Sequence, residues 1–268
     1  MKNTRLPAVA GSFYPGSADV LRHDVRTLLA AAHPSDFSPK ALIAPHAGYV
    51  YSGPVAASAY ATLTHAAHRI RRVVLLGPAH RATVHGLALP GVDTFTTPLG
   101  TVRLDLEAAH AIAHLPQVTT SSQAHALEHS LEVHLPFLQS VLTDFKLLPL
   151  VVGMASAEEV AEVLDALWGG DETLIVISSD LSHYLPYEAA RQMDTATAQS
   201  ILNLEPLTSH KQACGGTPIN GLLLAAHHHH LAPHLLDLRN SGDTAGSRDA
   251  VVGYASFAFT EEETEHVN

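Results

Sequence analysis

The chain has 268 residues, of which 46% are hydrophobic, enough for the core of one large domain or two small ones. It carries 15 Lys and Arg against 26 Asp and Glu, a formal net charge of −11, and has no basic run, which argues against nucleic-acid binding. The single cysteine, Cys214, excludes an internal disulfide and a cysteine-rich zinc site. The sequence has neither the apolar core of a signal peptide nor about 20 consecutive apolar residues, which predicts a cytoplasmic protein without membrane contact.

Segments with helical and strand-like apolar spacing alternate along the chain. In chain order we predict a helix over 17–32, a strand over 41–44, a helix over 54–66, strands over 72–77 and 84–89, and a helix over 106–115. A helix from 131 or 135 to 141, a strand over 146–152, a helix over 156–168 and a strand over 173–178 follow. The last predicted elements are helices over 186–202 and from 214 to the histidine run at 227–230, and strands over 235–238 and 250–260. This alternation predicts an α/β fold with a largely parallel central sheet flanked by helices. We expect a single domain over residues 1–268, ordered over about 5–260, with a frayed acidic C-terminal tail.

Three of the predicted strands each run into a histidine just past their carboxyl ends. The strands that begin at residues 41, 72 and 173 are followed by His46, His80 and His183, respectively. In open α/β sheets, ligands bind at the carboxyl ends of the strands. If the three strands are parallel neighbours, their histidines converge on one edge.

Histidines and carboxylates at such an edge suit a metal site. Neutral imidazole is a common ligand for Zn, Cu and Fe, and two histidines with one carboxylate suit non-heme Fe(II). His46 and His80 offer the nitrogens, while Asp180 and Asp243 are loop carboxylates beside predicted strands, and His183 lies three residues after Asp180. The alternatives are that Asp180 caps a local turn and that Asp243, in a Gly- and Ser-rich segment, is a turn residue.

The segment from Glu128 to Leu138 holds two acids and two histidines close together. Glu128 and Glu132 are four residues apart and would share one face of a helix, with Ser130 and His134 on another. Glu132 and His134 are equally compatible with surface positions.

Other nucleophile and ligand patterns are weak. Cys214 precedes a predicted helix, where a thiolate is stabilised, but no adjacent base accompanies it, which favours a buried structural thiol. No Gly-x-Ser-x-Gly elbow, P-loop or Gly-x-Gly-x-x-Gly motif is present. The histidine run at 227–230 is predicted to be an exposed helix end that binds metal only opportunistically.

Six segments together resemble the Memo family, whose bacterial and archaeal members are called AmmeMemoRadiSam system protein B. The segments are Pro7–Pro15 (PAVAGSFYP), Ala44–Tyr49 (APHAGY), Leu76–His80 (LGPAH), Glu128–Pro136 (EHSLEVHLP), Ser178–His183 (SSDLSH) and Cys214–Ile219 (CGGTPI). The matches occur in order and, with the weaker matches around them, run from residue 7 to about residue 259.

The resemblance implies a single α/β domain similar to the class III extradiol dioxygenases, which are non-heme iron enzymes. By that analogy, His46 and His80 match the paired histidine ligands of the metal. The dioxygenases take a third, carboxylate ligand from late in the chain, and the candidate here is Asp243.

The same analogy implies roles for the remaining polar residues. His183 matches the region of an acid–base histidine, with Asp180 beside it, and His134, or less favourably His129, would be a further pocket histidine. In this hypothesis His134 and His183 move protons and Asp180 orients an imidazole.

Three functional hypotheses follow. The first is a metal-binding, dioxygenase-like oxidoreductase with Fe(II) or Cu on His46, His80 and Asp243. The alternative is a non-catalytic protein that recognises a peptide or small ligand through the same pocket. A hydrolase using Asp180 and a metal-bound water is a weaker third. The family name implies AMMECR-type and radical SAM proteins as partners.

Overall fold

The computed structural model describes residues 3–33 and 37–261. The acidic tail that we predicted to be frayed lies outside these residues, except for Glu261. The helices are α1 (Ala18–Ala31), α2 (Tyr49–Ala61), α3 (Leu106–Ile112), α4 (Ser122–Ala126), α5 (Leu135–Val141), α6 (Ala157–Ala166), α7 (Tyr187–Leu202), α8 (Gly216–His228) and α9 (Ser241–Thr244). The strands are β1 (Thr4–Arg5), β2 (Ala41–Ala44), β3 (Arg72–Pro78), β4 (Leu87–Leu89), β5 (Thr94–Thr97), β6 (Gly100–Arg103), β7 (Val118–Thr120), β8 (Lys146–Val152), β9 (Thr173–Ser178), β10 (His183–Leu185), β11 (Leu231–Asn240) and β12 (Val251–Glu261).

A nine-stranded sheet forms the centre of the fold. Its order is β10-β12-β2-β9-β3-β8-β4-β7, with β11 also paired to β12. The four central strands β2, β9, β3 and β8 are parallel, whereas β12 joins β2 and β4 joins β8 in antiparallel fashion. The predicted α/β fold with a parallel centre and flanking helices is therefore confirmed, with antiparallel strands added on both sides.

Each central strand is buried on both faces, which explains its continuous apolar sequence. Successive side chains of a strand point to opposite faces. Val73 and Leu75 of β3 therefore pack in one cluster with residues of α1, α2 and α5, while Val74 and Leu76 pack in another with residues of α6 and α8. Among the described helices, none combines the length and apolarity required to cross a bilayer.

Several element boundaries differ from the prediction. The strand predicted over 84–89 is limited to Leu87–Leu89, because Gly86 adopts φ +75° and its chain turns there. The segment between the strand predicted over 84–89 and the helix predicted over 106–115 contains a hairpin, β5–β6, whose strand β5 also pairs with β1. The short strand predicted over 235–238 extends over Leu231–Asn240, because it pairs along nearly the whole of β12.

Candidate metal centre

The three strands predicted to deliver histidines are parallel neighbours. β9 lies between β2 and β3, and Ala44 and Ser178 at the carboxyl ends of β2 and β9 are in register. His46, His80 and His129 form the one group, within the described residues, whose possible metal-binding atoms all lie within 4.8 Å of one another. The rings of His46 and His80 are 5.2 Å apart, and that of His129 is 5.5 Å and 4.7 Å from them.

The tautomer of His46 is set by a hydroxyl at the end of β9. The Ser178 hydroxyl donates its one proton to the carbonyl oxygen of Ser130, at 2.5 Å. Its 2.6 Å contact with Nδ1 of His46 must therefore be a hydrogen bond that the imidazole donates. Nε2 of His46 consequently carries a lone pair, as a metal ligand requires. Burial, and then the charges of neighbouring imidazoles, lower the pKa of His46, which favours this neutral form.

His80 is oriented by a buried carboxylate. Oε1 of Glu128 accepts from Nδ1 of His80 at 2.9 Å, and Oε2 accepts from the backbone N–H of His80 at 2.6 Å. Burial raises the pKa of Glu128, but the hydrogen bonds from His80 and from the N–H of Ser130 outweigh it and bring the pKa to about 2. Glu128 is therefore ionised, and Nε2 of His80 is free for a ligand bond.

His129 completes the group from the chain segment before α5. The centre of its ring lies 4.7 Å from that of Phe13. Phe13 belongs to residues 5–16, which form the N-terminal arm of the chain. The Nδ1 of His129 lies 3.3 Å from Oε1 of Glu128. Burial is the main cause that lowers the pKa of His129 to about 4, so the imidazole is neutral at pH 7.

Cys214 and Asp180 flank His46. The Sγ of Cys214 lies 3.3 Å from Nε2 of His46, and Oδ2 of Asp180 lies 4.0 Å from the same nitrogen. Burial, and then the charge of Asp180, raise the pKa of Cys214 to about 12. Burial also raises the pKa of Asp180 to about 7, against the lowering effect of hydrogen bonds from the backbone N–H groups of His46 and Ala47.

These residues fit a transition-metal ion. Imidazole nitrogens suit Zn, Cu, Fe and Ni, and a site with three protein ligands leaves positions open for other molecules. Ligand bonds of about 2.0–2.3 Å allow two donors of one ion to lie up to about 4 Å apart, so the sulfur of Cys214 is also within reach of an ion held by His46.

The structure separates the other predicted site residues. His183 donates from Nδ1 to the carbonyl of Leu181 at 2.8 Å and begins β10, which pairs with β12, and it is not one of the three histidines of the group. His134 is buried and bonded through Nδ1 to the hydroxyl of Tyr60 at 2.8 Å. Burial lowers the pKa of His134 to about 3.

Asp243 does not belong to the histidine group. Its carboxylate accepts from the hydroxyl of Tyr187 at 2.5 Å and from the backbone N–H of Asn240 at 3.0 Å, which caps the short helix α9. The side chain lies on an exposed part of the chain. The residue grouped with His46 and His80 is His129, so the third of the side chains that could hold an ion is an imidazole.

A buried ion pair fixes the segment that carries Glu128 and His129. Arg5 donates to Oε2 of Glu132 at 2.6 Å and to the carbonyls of His125 and Glu128 at 2.7 Å each. Glu132 also accepts from the hydroxyl of Tyr14 at 2.6 Å. The N-terminal arm is thereby joined to the ligand-bearing segment by fully bonded polar groups.

Sequence reasoning gave less weight to three residues that the fold brings to this edge. Glu128 and His129 lie outside the three strand-end turns on which the search relied, and Cys214 had no neighbouring base in sequence. The available signal was the density of His and Glu over 128–134, whose meaning depends on where the long connection between β7 and β8 folds back.

The fold and the site define an α/β protein whose sheet edge carries a three-histidine group suited to a metal ion. The chain belongs to the Memo family: the model of the Memo-like protein family matches residues 5–258. Relatives called MEMO1 family protein include one from Aquifex aeolicus, 37% identical over 95% of this chain and 98% of its own. Another, from Archaeoglobus fulgidus, is 36% identical over 95% and 99%. A solved structure of the uncharacterized protein JW3007 of Escherichia coli K12 is similar with a TM-score of 0.49 and 16% identity, over 80% of this chain and 98% of that one.

Proposed function

We propose that this chain binds one redox-active ion, Fe(II) or Cu, through His46, His80 and His129 and that it oxidises a small organic molecule. The observation that carries the proposal is the pair of hydrogen bonds to Nδ1 of His46 and of His80. Each bond fixes the ring and occupies Nδ1, so that Nε2 is the nitrogen available to an ion in a group of three imidazoles. Placing several polar side chains in the protein interior costs free energy. Such an arrangement is typical of metal ligands.

A bound ion would supply open coordination positions and electron transfer with dioxygen. The soft sulfur of Cys214 beside Nε2 of His46 favours Cu or Fe over hard cations such as Mg²⁺. The chain's own contribution is to hold three imidazoles in one group, to exclude water from His46 and to keep Glu128 ionised behind His80.

Asp180 and His183 are the groups best suited to hold or move a proton. Asp180 has a pKa of about 7, close to the value that is most effective for acid–base work at neutral pH. His183 has Nδ1 fixed by a carbonyl and Nε2 free. His134, also predicted for this role, has a pKa of about 3 and is enclosed, so we assign it no proton transfer.

Metal analysis tests the proposal directly. The protein is purified without a nickel column, with His227 to His230 replaced, and is loaded anaerobically with Fe(II) or with Cu. We expect about one ion per chain in this protein, and its loss in the His46→Ala, His80→Ala double variant. His110→Ala, an exposed histidine on α3, is the matched control and retains the ion.

The outcome also decides between the two functional classes. Absence of bound metal under every loading condition would contradict the oxidoreductase proposal and favour the non-catalytic binding protein. Binding of Zn alone would retain the site but remove the redox chemistry. The AMMECR-type and radical SAM partners stay a prediction from the family resemblance.

A further inference from the structure

A cavity of about 670 Å³ opens at the carboxyl ends of β3 and β8. Its walls come from three parts of the chain, namely residues 78–84 after β3, residues 152–159 around the start of α6, and the start of α8 with the preceding loop. This is the edge of an open α/β sheet at which ligands bind. Its size lies within the range of about 300–1,000 Å³ that is usual for small-molecule sites.

The cavity is adjacent to the histidine group through two of its lining residues. Cys214 lines the cavity, and its Sγ lies 3.3 Å from Nε2 of His46. Ala79 also lines it and is followed directly by His80. A molecule in the cavity therefore has one end beside the atoms that would hold the metal.

Most of the lining is apolar. Pro78, Ala82, Val84, Val152 and Met154 are among the side chains that form it. Met154 is 61% exposed, so it lies at the rim, where a flexible thioether can adapt to different shapes.

The charged groups of the lining are few and partly engaged. The ionisable side chains other than Cys214 are Glu159 and His210. The Glu159 carboxylate accepts from the backbone N–H of Ser156 at 2.8 Å in a capping box and is held by the helix that it caps. The wall thus offers no cluster of cations or anions to a strongly charged ligand.

We propose that this cavity is the substrate site of the metal centre and that it takes an uncharged, largely apolar small molecule. The inference rests on the proposed function, which determines that the end of the substrate beside Cys214 and His46 is the one that reacts. The apolar walls select the body of the substrate, because a charged group would lose its hydration there without a partner. Residues 82 and 155, on different walls, determine how large that body can be.

Chemical labelling of Cys214, the single cysteine, tests access to the cavity without requiring the protein to catalyse a reaction. Maleimides add to a thiolate, and the raised pKa of Cys214 slows the reaction with every maleimide to the same extent. The ratio of the labelling rates of two maleimides therefore compares the access of the two molecules to the inner end of the cavity. The probes are N-propylmaleimide and 3-maleimidopropionic acid, which carry the same reactive group and differ in charge. Rates are measured by mass spectrometry on the full-length, metal-free chain and are divided by the rates for free N-acetylcysteine.

We expect the neutral maleimide to label Cys214 about tenfold faster than the anionic one, because the carboxylate must be desolvated among apolar side chains. Ala82→Trp and Ala155→Trp, which fill the cavity from two walls, are expected to slow the neutral reagent about tenfold, since each removes much of the free volume. Tyr184→Trp is the matched control, because Tyr184 lies beside His183, is 76% exposed and does not line the cavity. This control leaves the rate unchanged.

Three results would overturn the inference. Equal normalised rates for the two reagents would contradict the substrate class. Slowing by Tyr184→Trp but by neither alanine variant would place access on the histidine side. Labelling of the folded chain by the neutral reagent that is far slower than the raised pKa of Cys214 accounts for, while urea-unfolded chain is labelled fully, would show that the cavity does not reach Cys214. The metal content of the same variants is measured separately, so a protein that binds metal but fails these tests contradicts only the cavity assignment.

Discussion

Arg5 and Glu132 form an ion pair of 2.6 Å in which both side chains are almost fully buried. The pair joins the N-terminal arm to the turn that follows Glu128 and His129. Removing one partner of a buried pair leaves the other charge without compensation, which costs more than the pair itself contributes. The position of Glu128 and His129 in the candidate metal centre therefore depends on a residue near the start of the chain.

Replacing Glu132 by Gln is expected to lower the free energy of unfolding by about 3–5 kcal/mol. The cause is the buried guanidinium of Arg5, which keeps two carbonyl partners but loses its counter-ion. Chemical denaturation at pH 7 measures the effect. Asp144→Asn is the control, since Asp144 pairs with Arg103 at 3.9 Å on the surface, and it should change stability by less than about 1 kcal/mol. Equal effects of the two substitutions would refute the argument.

His129→Ala and Asp243→Asn distinguish the two candidates for the third ligand. Because His129 belongs to the histidine group and Asp243 caps α9, we expect His129→Ala to weaken metal binding and Asp243→Asn to leave it unchanged. Titration of metal-free protein with Fe(II) or Cu gives the dissociation constants. Loss of binding in Asp243→Asn alone would restore the sequence-based choice of the late carboxylate.

Glu128→Gln tests the role of the carboxylate behind His80. The amide preserves the size of the side chain but removes the charge that orients Nδ1 of His80 and increases the basicity of its ring. We expect metal affinity to fall about 10- to 100-fold with all three imidazoles retained. The same titration measures it, and Glu159→Gln, outside the histidine group, serves as the matched control. An unchanged affinity would mean that Glu128 only supports the fold.

The buried imidazole of His125 is expected to lower the stability of the folded chain in acid. Burial is the main cause that lowers its pKa to about 4, and its Nε2 donates to the carbonyl of Ala88 at 2.7 Å. An unfolded histidine has a pKa of about 6.5, so the unfolded chain binds more protons between these values. The stability that His125 contributes is fully present above about pH 6.5, and about 3 kcal/mol of it is lost as the pH falls to about 4.

The corresponding variant is His125→Gln, compared with the unaltered chain by urea unfolding at pH 7 and at pH 4. The variant is expected to be less stable at pH 7 but to lose less stability on acidification, because Gln does not titrate. Parallel acid profiles for the two proteins would show that His125 does not carry the effect.

The convergence of His46 and His80 on one sheet edge was predictable because it follows from local patterns. A strand ends where its apolar run is followed by Pro, Gly or Ser. Parallel pairing then places the carboxyl ends of neighbouring strands at the same edge of the sheet. His183, which was predicted to join these two histidines, begins β10 and is not part of the histidine group. The position of His129 was not predictable in this way. It depends on a connection that leaves the sheet after β7 and returns through α4 and a 3-10 turn, held by Arg5 from more than 120 residues away in sequence.

The same distinction explains the assignment of Asp243. Its surroundings, Ser-Gly-Asp-Thr-Ala-Gly, already indicated a turn, and the structure places it in a cap at the start of α9. The analogy with dioxygenases favoured a late carboxylate over that local signal. Composition described the residue's surroundings better than the analogy did.

The hydroxyl of Ser178 connects two of the proposed ligands, because it accepts from His46 and donates to the residue after His129. The ring of His46 cannot rotate far without losing this bond, and the same hydroxyl holds the backbone of the segment that carries His129. The centre should therefore behave as a rigid receptor whose shape is the same before and after an ion arrives. The rate of ion uptake would then be limited by the loss of water molecules coordinated to the ion and not by rearrangement of the chain. At equilibrium, ions that require a different coordination geometry would bind weakly.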